Sequence, residues 1–227
     1  MIKFVIKRLL TIIPMMLIII FIVFGLVSMS KVDAGRMKLG PDASEEDIWA
    51  YNEELGLHDP LIVRYGKYVL GICKGDFGTS YYYNEPVMKI IMGRWPNTIK
   101  LTLLSMAIAM VVGISLGVLS AVKQYSVLDR IATVASMLLS AIPTFCMAAL
   151  LVLVFSYKFR LVPASGVTNG WKSWILPALT LGISYSAQFL RFTRSTMLDT
   201  TRQDYIRTAR AKGVAERTTI WRHAFRN

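Results

Sequence analysis

The residue types that usually carry chemistry are sparse and scattered. The two histidines, His58 and His223, are far apart and both lie in polar segments. His223 reads as a solvated or packing residue first and a proton sensor second. Cys73 falls in a polar stretch and Cys146 in an apolar one; with no CxxC or Cys/His spacing, they read as two unpaired thiols. No Gly-rich loop ends in Lys-Ser/Thr, so ATP is not expected on this chain. No G-x-S-x-G, no H-E-x-x-H and no carboxylate pair within an apolar run supplies a nucleophile or a metal. The chain is therefore expected to be no enzyme and to hold no metal or cofactor of its own.

Two features remain. One is Ser140-Ala141-Ile142-Pro143-Thr144, a proline flanked by hydroxyls inside an apolar block. Proline removes one helical hydrogen bond and bends the helix. The bend reads equally as packing or as the wall of a translocation path. The other is the segment Tyr205, Ile206, Arg207, Thr208, Ala209, Arg210, Ala211, Lys212, Gly213. Thr208, Ala209 and Ala211 are small, so a helix there fits closely in a groove. Gly213 ends it with a left-handed cap. The basic residues suit an acidic protein rim or anionic headgroups.

These features need elements to position them, and composition says which. Of 227 residues, 54% are hydrophobic and only 18% charged, and the mean hydropathy is +0.48. Soluble domains carry about 25% charged residues. The apolar excess lies in long blocks, as membrane spans require. The fold class expected is an all-α membrane protein with four spans, about 9–29, 98–121, 131–157 and 174–194. The first block follows Lys3, Lys7 and Arg8 and reads as a span, since no A-x-A-like site follows it. Gly113-x-x-x-Gly117 in the second permits close helix approach, as a specific contact face or as ordinary packing.

Charge placement sets the topology. The net charge is +12. Residues 31–96 hold ten of the fourteen acids and no spanning run, which predicts a small helical extracytoplasmic region. Within it, Pro41–Leu55 reads as a helix with Ser44 as N-cap, Ile48, Tyr51 and Leu55 on one face, and Gly56 as terminator. Pro60–Cys73 reads as a second, amphipathic helix, and Gly75–Gly78 as a turn. From Arg191 onward nine basic residues face three acids, which places that tail, and the N-terminus, in the cytoplasm. Lys158, Arg160 and Lys172 then fall outside, against the trend but outnumbered. The domains expected are 1–30, an N-terminal helix; 31–96, the extracytoplasmic region; and 97–227, the main transmembrane domain with a cytoplasmic segment at 199–227. The basic charge follows the membrane-side bias, and no nucleic-acid partner is expected.

The run Gln203-Asp204-Tyr205-Ile206-Arg207-Thr208-Ala209-Arg210-Ala211-Lys212-Gly213, followed by Ile220-x-x-His223-Ala224-x-Arg226-Asn227, resembles the cytoplasmic loop of binding-protein-dependent ABC importer permeases. It is most similar to the dipeptide, oligopeptide and nickel branch. The family's Glu-Ala-Ala positions fall on Arg207, Thr208 and Ala209, the first two departing from the general pattern. Further stretches agree in order: Glu54-Leu55-Gly56-Leu57-x-x-Pro60, Gly75-Asp76-Phe77-Gly78-x-Ser80, Pro96-x-Thr98, Leu128-Asp129-Arg130, Ile142-Pro143, Leu161-x-Pro163-Ala164-Ser165-Gly166, Leu176-Pro177-Ala178-Leu179 and Arg191-x-x-Arg194-Ser195-x-Met197-Leu198.

The resemblance implies a type I ABC importer transmembrane domain in the cytoplasmic membrane, importing di- or oligopeptides. It implies a second homologous permease subunit, two cytoplasmic ATPase subunits that carry ATP and Mg, and an extracytoplasmic substrate-binding protein. Tyr205–Gly213 would be the ATPase-coupling helix, and Ser140, Pro143 and Thr144 would line or kink the path. Two further spans are expected after Asn227, so the sequence reads as truncated before them. The alternatives left open are nickel or another small solute on the same scaffold, and a non-transporting membrane scaffold or regulatory subunit.

Overall fold

A computed structural model of the chain describes residues 2–30, 33–168 and 170–226. The described residues are overwhelmingly helical and divide into two units, Met1–Trp95 and Pro96–Asn227.

In the first unit, α1 (Ile2–Met29) is unbroken despite Pro14. Its second half packs against α4 (Leu61–Cys73): Tyr65 stacks edge-on to Phe21 at 5.1 Å and donates its hydroxyl hydrogen to the Leu17 carbonyl at 2.8 Å. Between them, α2 (Ala34–Leu39) and α3 (Glu45–Glu54) pair through a buried amide. Asn52 donates to Asp33 Oδ1 at 2.8 Å and accepts the Gly35 N–H at 2.9 Å. That bond, with those from the α2 N–H groups, holds the Asp33 carboxyl below its usual range. Gly35 is required here, because a Cβ would sit 2.9 Å from the Ile48 carbonyl oxygen.

Ser44 caps α3 as expected, accepting from the Asp47 N–H, so the helix starts at Glu45 and not at Pro41. Gly56 follows it at φ +68. Of the expected face, Ile48 is buried and Leu55 exposed; the polar Asn52 takes the inner position. The Gly75–Gly78 turn forms, with the Gly78 N–H donating to Asp76 Oδ1.

In the second unit, α8 (Lys172–Thr201) is the central element. Against it pack residues 96–122 of α5 (Val87–Val122), the antiparallel α6 (Val127–Ala141) and α7 (Thr144–Leu151), which continues as a π-helical stretch over Val152–Lys158. The α5–α8 contact runs through small residues. A Cβ on Gly113 would lie 2.5 Å from Phe189 Cβ, one on Gly117 2.7 Å from Thr193 Cβ, and one on Gly182 2.6 Å from Ile108 Cγ2. Gly113-x-x-x-Gly117 is therefore a specific contact face.

Three element boundaries differ from expectation. The helix expected from Thr98 begins at Val87, since Pro96 costs α5 one hydrogen bond without ending it. The stretch expected as one kinked span, 131–157, is two helices bent by 100°. Ile142 and Pro143 are both extended, because proline disfavours helical geometry in the residue before it. The fourth expected span lies inside α8, where Thr180, Ser184, Tyr185, Ser186 and Gln188 interrupt the apolar run. Among the described residues, α1 and α5 are long and apolar enough to cross a membrane, and the bent α6–α7 pair is a third candidate if counted as one span.

Candidate coupling site

The tail segment forms α9 (Asp204–Ala211). Asp204 sits in the first turn, where the helix dipole favours an acid, and its carbonyl accepts the Thr208 hydroxyl at 2.9 Å. The end is a complete Schellman motif. The Gly213 N–H reaches the Arg210 carbonyl at 2.9 Å and the Val214 N–H the Ala209 carbonyl at 3.2 Å, with Gly213 at φ +75. The left-handed position is one that only glycine occupies without strain.

The chain then reverses into α10 (Glu216–Thr218), which continues as a π-helical turn over Thr219–Ala224. Arg210 closes the reversal with a forked ion pair to Glu216, Nε to Oε2 at 3.1 Å and Nη2 to Oε1 at 2.7 Å. The guanidinium holds the Glu216 carboxyl below its ordinary value. Inside the fold back, Thr219 is fully buried and donates to the Val214 carbonyl.

Ile206 anchors the assembly. It is 0% exposed and packs with Val118 and Ala121 at the end of α5, Met197 near the end of α8, and Ile220 and Ala224. Burying such a side chain contributes about 1.5–3 kcal/mol. On the other side Tyr205, Arg207, Thr208, Arg210, Ala211, Lys212 and Gly213 are exposed, and Ala209 is half-buried. Thus α9 presents a basic, small-residue surface outward and one apolar key inward, onto the ends of two long helices. Ile206 is the side chain by which α9 joins the cluster at the ends of those helices.

A second constellation joins α8 to α6. Arg194 grips Asp129 with both edges of its guanidinium. Asp129 also accepts from Ser120 and from the Tyr125 N–H at 2.9 Å, and its side chain is 4% exposed. Arg191, one turn along, donates from Nη1 to the Ser136 carbonyl at 3.0 Å and the Ser140 hydroxyl at 2.6 Å. Ser140 is thereby tied to α8, while Pro143 and Thr144 are exposed at the bend. These three do not meet the residues of α9. Asp129 and Arg194 lie 65 residues apart, and the signal that could have paired them is that each borders an apolar run.

A family model described as "Binding-protein-dependent transport system inner membrane component" matches residues 113–227. The N-terminal model of the same system's membrane component matches residues 1–102. The glutathione transport system permease protein GsiC of Escherichia coli (strain K12) is 37% identical over 227 residues, which is all of this chain and 74% of that protein. Its namesake in Salmonella typhimurium (strain LT2) is similar to the same extent. Proteins of this family are inner-membrane permeases of ABC importers; they work with ATPase and substrate-binding partners and are not themselves the ATPase. With both models matched in order and the relatives aligned along its whole length, the chain belongs to the family of binding-protein-dependent transport system inner membrane components.

Proposed function

We propose that the chain is a pore-forming permease subunit that imports short peptides, glutathione-like tripeptides among them, and that α9 is where the ATPase acts on it. One observation carries the coupling assignment: Ile206 is fully buried against the ends of α5 and α8, while Tyr205, Thr208, Ala211 and Lys212 face outward. Closure of two ATPase subunits would press on that outer face and swing both helices. ATP and Mg would sit on those subunits, with Arg207 and Lys212 meeting an acidic rim. A second, homologous permease would complete the pore, and an extracytoplasmic binding protein would deliver the peptide. The names of the similar permeases support a peptide cargo.

The topology we favour has the N-terminus in the cytoplasm, residues 31–96 outside and four crossings, the last two formed by the bent α6–α7 pair and α8. The bend at Ser140, Pro143 and Thr144 would then lie beside the path.

The test is uptake. Tyr205→Ala and Ala211→Arg alter exposed positions and leave the Ile206 anchor intact. Each is expected to cut uptake of labelled glutathione or dipeptide at least about tenfold, the effect of losing ~1.4 kcal/mol of docking energy. Peptide affinity of the binding protein should not change. Wild-type uptake by both variants would sink the coupling assignment.

A further inference from the structure

Between α6 and α8 lies a cavity of about 310 Å³. It is lined by Arg191, Arg194 and Arg202, with Thr133, Ser195, Leu198 and one acid, Asp199. Asp129 neutralises Arg194 from behind. Among the described residues, Arg191 bonds to neutral oxygens, those of Ser136 and Ser140. Among the described residues neither Arg191 nor Arg202 forms an ion pair. An excess of positive charge therefore remains, beside two hydroxyl donors. Forked guanidiniums with hydroxyls are a donor set for phosphate oxygens.

The cavity's place along the helices says which phosphate. The mainly apolar part of α8 ends at Leu190, and Arg191 to Arg202 covers the next ~16 Å of helix axis, so its Arg191 end lies within the ~5–8 Å of a headgroup layer and its Arg202 end beyond it. Because α6 runs antiparallel, passing from Asp129 toward Ser140 leads back to the apolar end of α8. Met137 lies one turn beyond Thr133 in that direction, on the same face, and it and its neighbours Val134 and Leu138 are exposed. A half-open cavity with arginines along one wall and Leu198 in its lining, and with exposed apolar side chains one turn deeper, fits a headgroup with its acyl chains.

We propose that this cavity binds the phosphate of an anionic phospholipid, with the acyl chains lying along Val134 and Met137. The inference rests on the topology favoured above, which sets this end of α8 at the cytoplasmic side, where basic pockets between helices are suited to such headgroups. The lipid would bridge α6 and α8 beside the Asp129–Arg194 clasp.

The test uses the full chain with its partner subunits, in nanodiscs of equal phosphatidylglycerol and phosphatidylcholine, with retained lipid counted by native mass spectrometry. The wild type should retain phosphatidylglycerol in preference. Arg202→Gln should reduce that preference roughly fivefold, and Arg202→Lys, which keeps the charge and loses the fork, should reduce it by a smaller factor. Thr133→Leu narrows the cavity and removes one hydroxyl donor without changing charge, and should also weaken the preference, which general attraction to a basic surface would not feel. Unfolding temperatures equal to wild type establish that the Arg202 variants fold. Equal retention of both lipids by the wild type, or an unchanged preference in Arg202→Gln and Thr133→Leu, would overturn the proposal. Displacement of the lipid by millimolar inorganic phosphate would overturn it too, assigning the cavity to a soluble anion.

Discussion

Arg194 Nε lies 2.6 Å from Asp129 Oδ1 and its Nη2 lies 2.8 Å from Oδ2, a two-point clasp that locks α8 to the start of α6. Asp129 is nearly buried and Arg194 mostly so. Removing one partner strands the other charge, which costs about 3–5 kcal/mol when a buried pair is broken. Asp129→Asn and Arg194→Gln should each lower the thermal unfolding midpoint of the detergent-solubilised protein sharply. The double variant should recover much of the loss, since no unpaired charge is left. A double variant as unstable as the two single losses added together would mean that the residues act independently.

Gly113 faces Phe189 Cβ and the Ser186 carbonyl oxygen, each 2.5 Å from where a Cβ would stand. One contact is backbone and the other the root of a side chain, so neither can swing away. Gly113→Ala should therefore force α5 from α8 at a cost of about 1–3 kcal/mol, the usual range for overpacking. Gly25→Ala in α1 is the control: its Cβ would meet nothing within 4 Å. Membrane yield and unfolding midpoint should fall for the first and hold or rise for the second. Equal behaviour of the two would remove the close-contact reading of Gly113-x-x-x-Gly117.

The devices legible in the sequence were the local ones. Ser44 as a cap, Gly56 and Gly213 as left-handed terminators and the disruption at Pro143 each depend on a residue's own backbone preference or on a neighbour within one turn. The misjudged points depend on partners distant in sequence. Arg191 and Arg194 read as surface charge obeying the positive-inside bias, because their acceptors at Ser136, Ser140 and Asp129 lie more than fifty residues away. The burial of Asn52 likewise depends on Asp33 and Gly35, 19 and 17 residues away. The size of the bend at Pro143 was also out of reach: a proline predicts a kink, but its 100° follows from Ile142 and Pro143 being extended in succession. At the coupling segment, helix and terminator were legible, and the buried role of Ile206 was not, since its pocket is assembled from α5, α8 and the turn after α10.

Glu216 gives that segment a dependence on pH. Its pairing with Arg210 lowers the carboxyl's titration in the folded chain below its unfolded value. A depressed acid stabilises the fold above the unfolded value, and the contribution disappears as pH falls through the folded one. Both side chains are about half exposed, so the effect is modest and weakened by salt. Glu216→Gln should melt slightly below wild type at neutral pH and low salt. The gap between them should close on acidification from the ordinary glutamate range near pH ~4.3 downward, and at neutral pH it should shrink in high salt. A gap that stays constant across this range would show that the α9–α10 reversal is held by the Schellman bonds of Gly213 and Val214 and by Ile206, with the ion pair contributing nothing to stability.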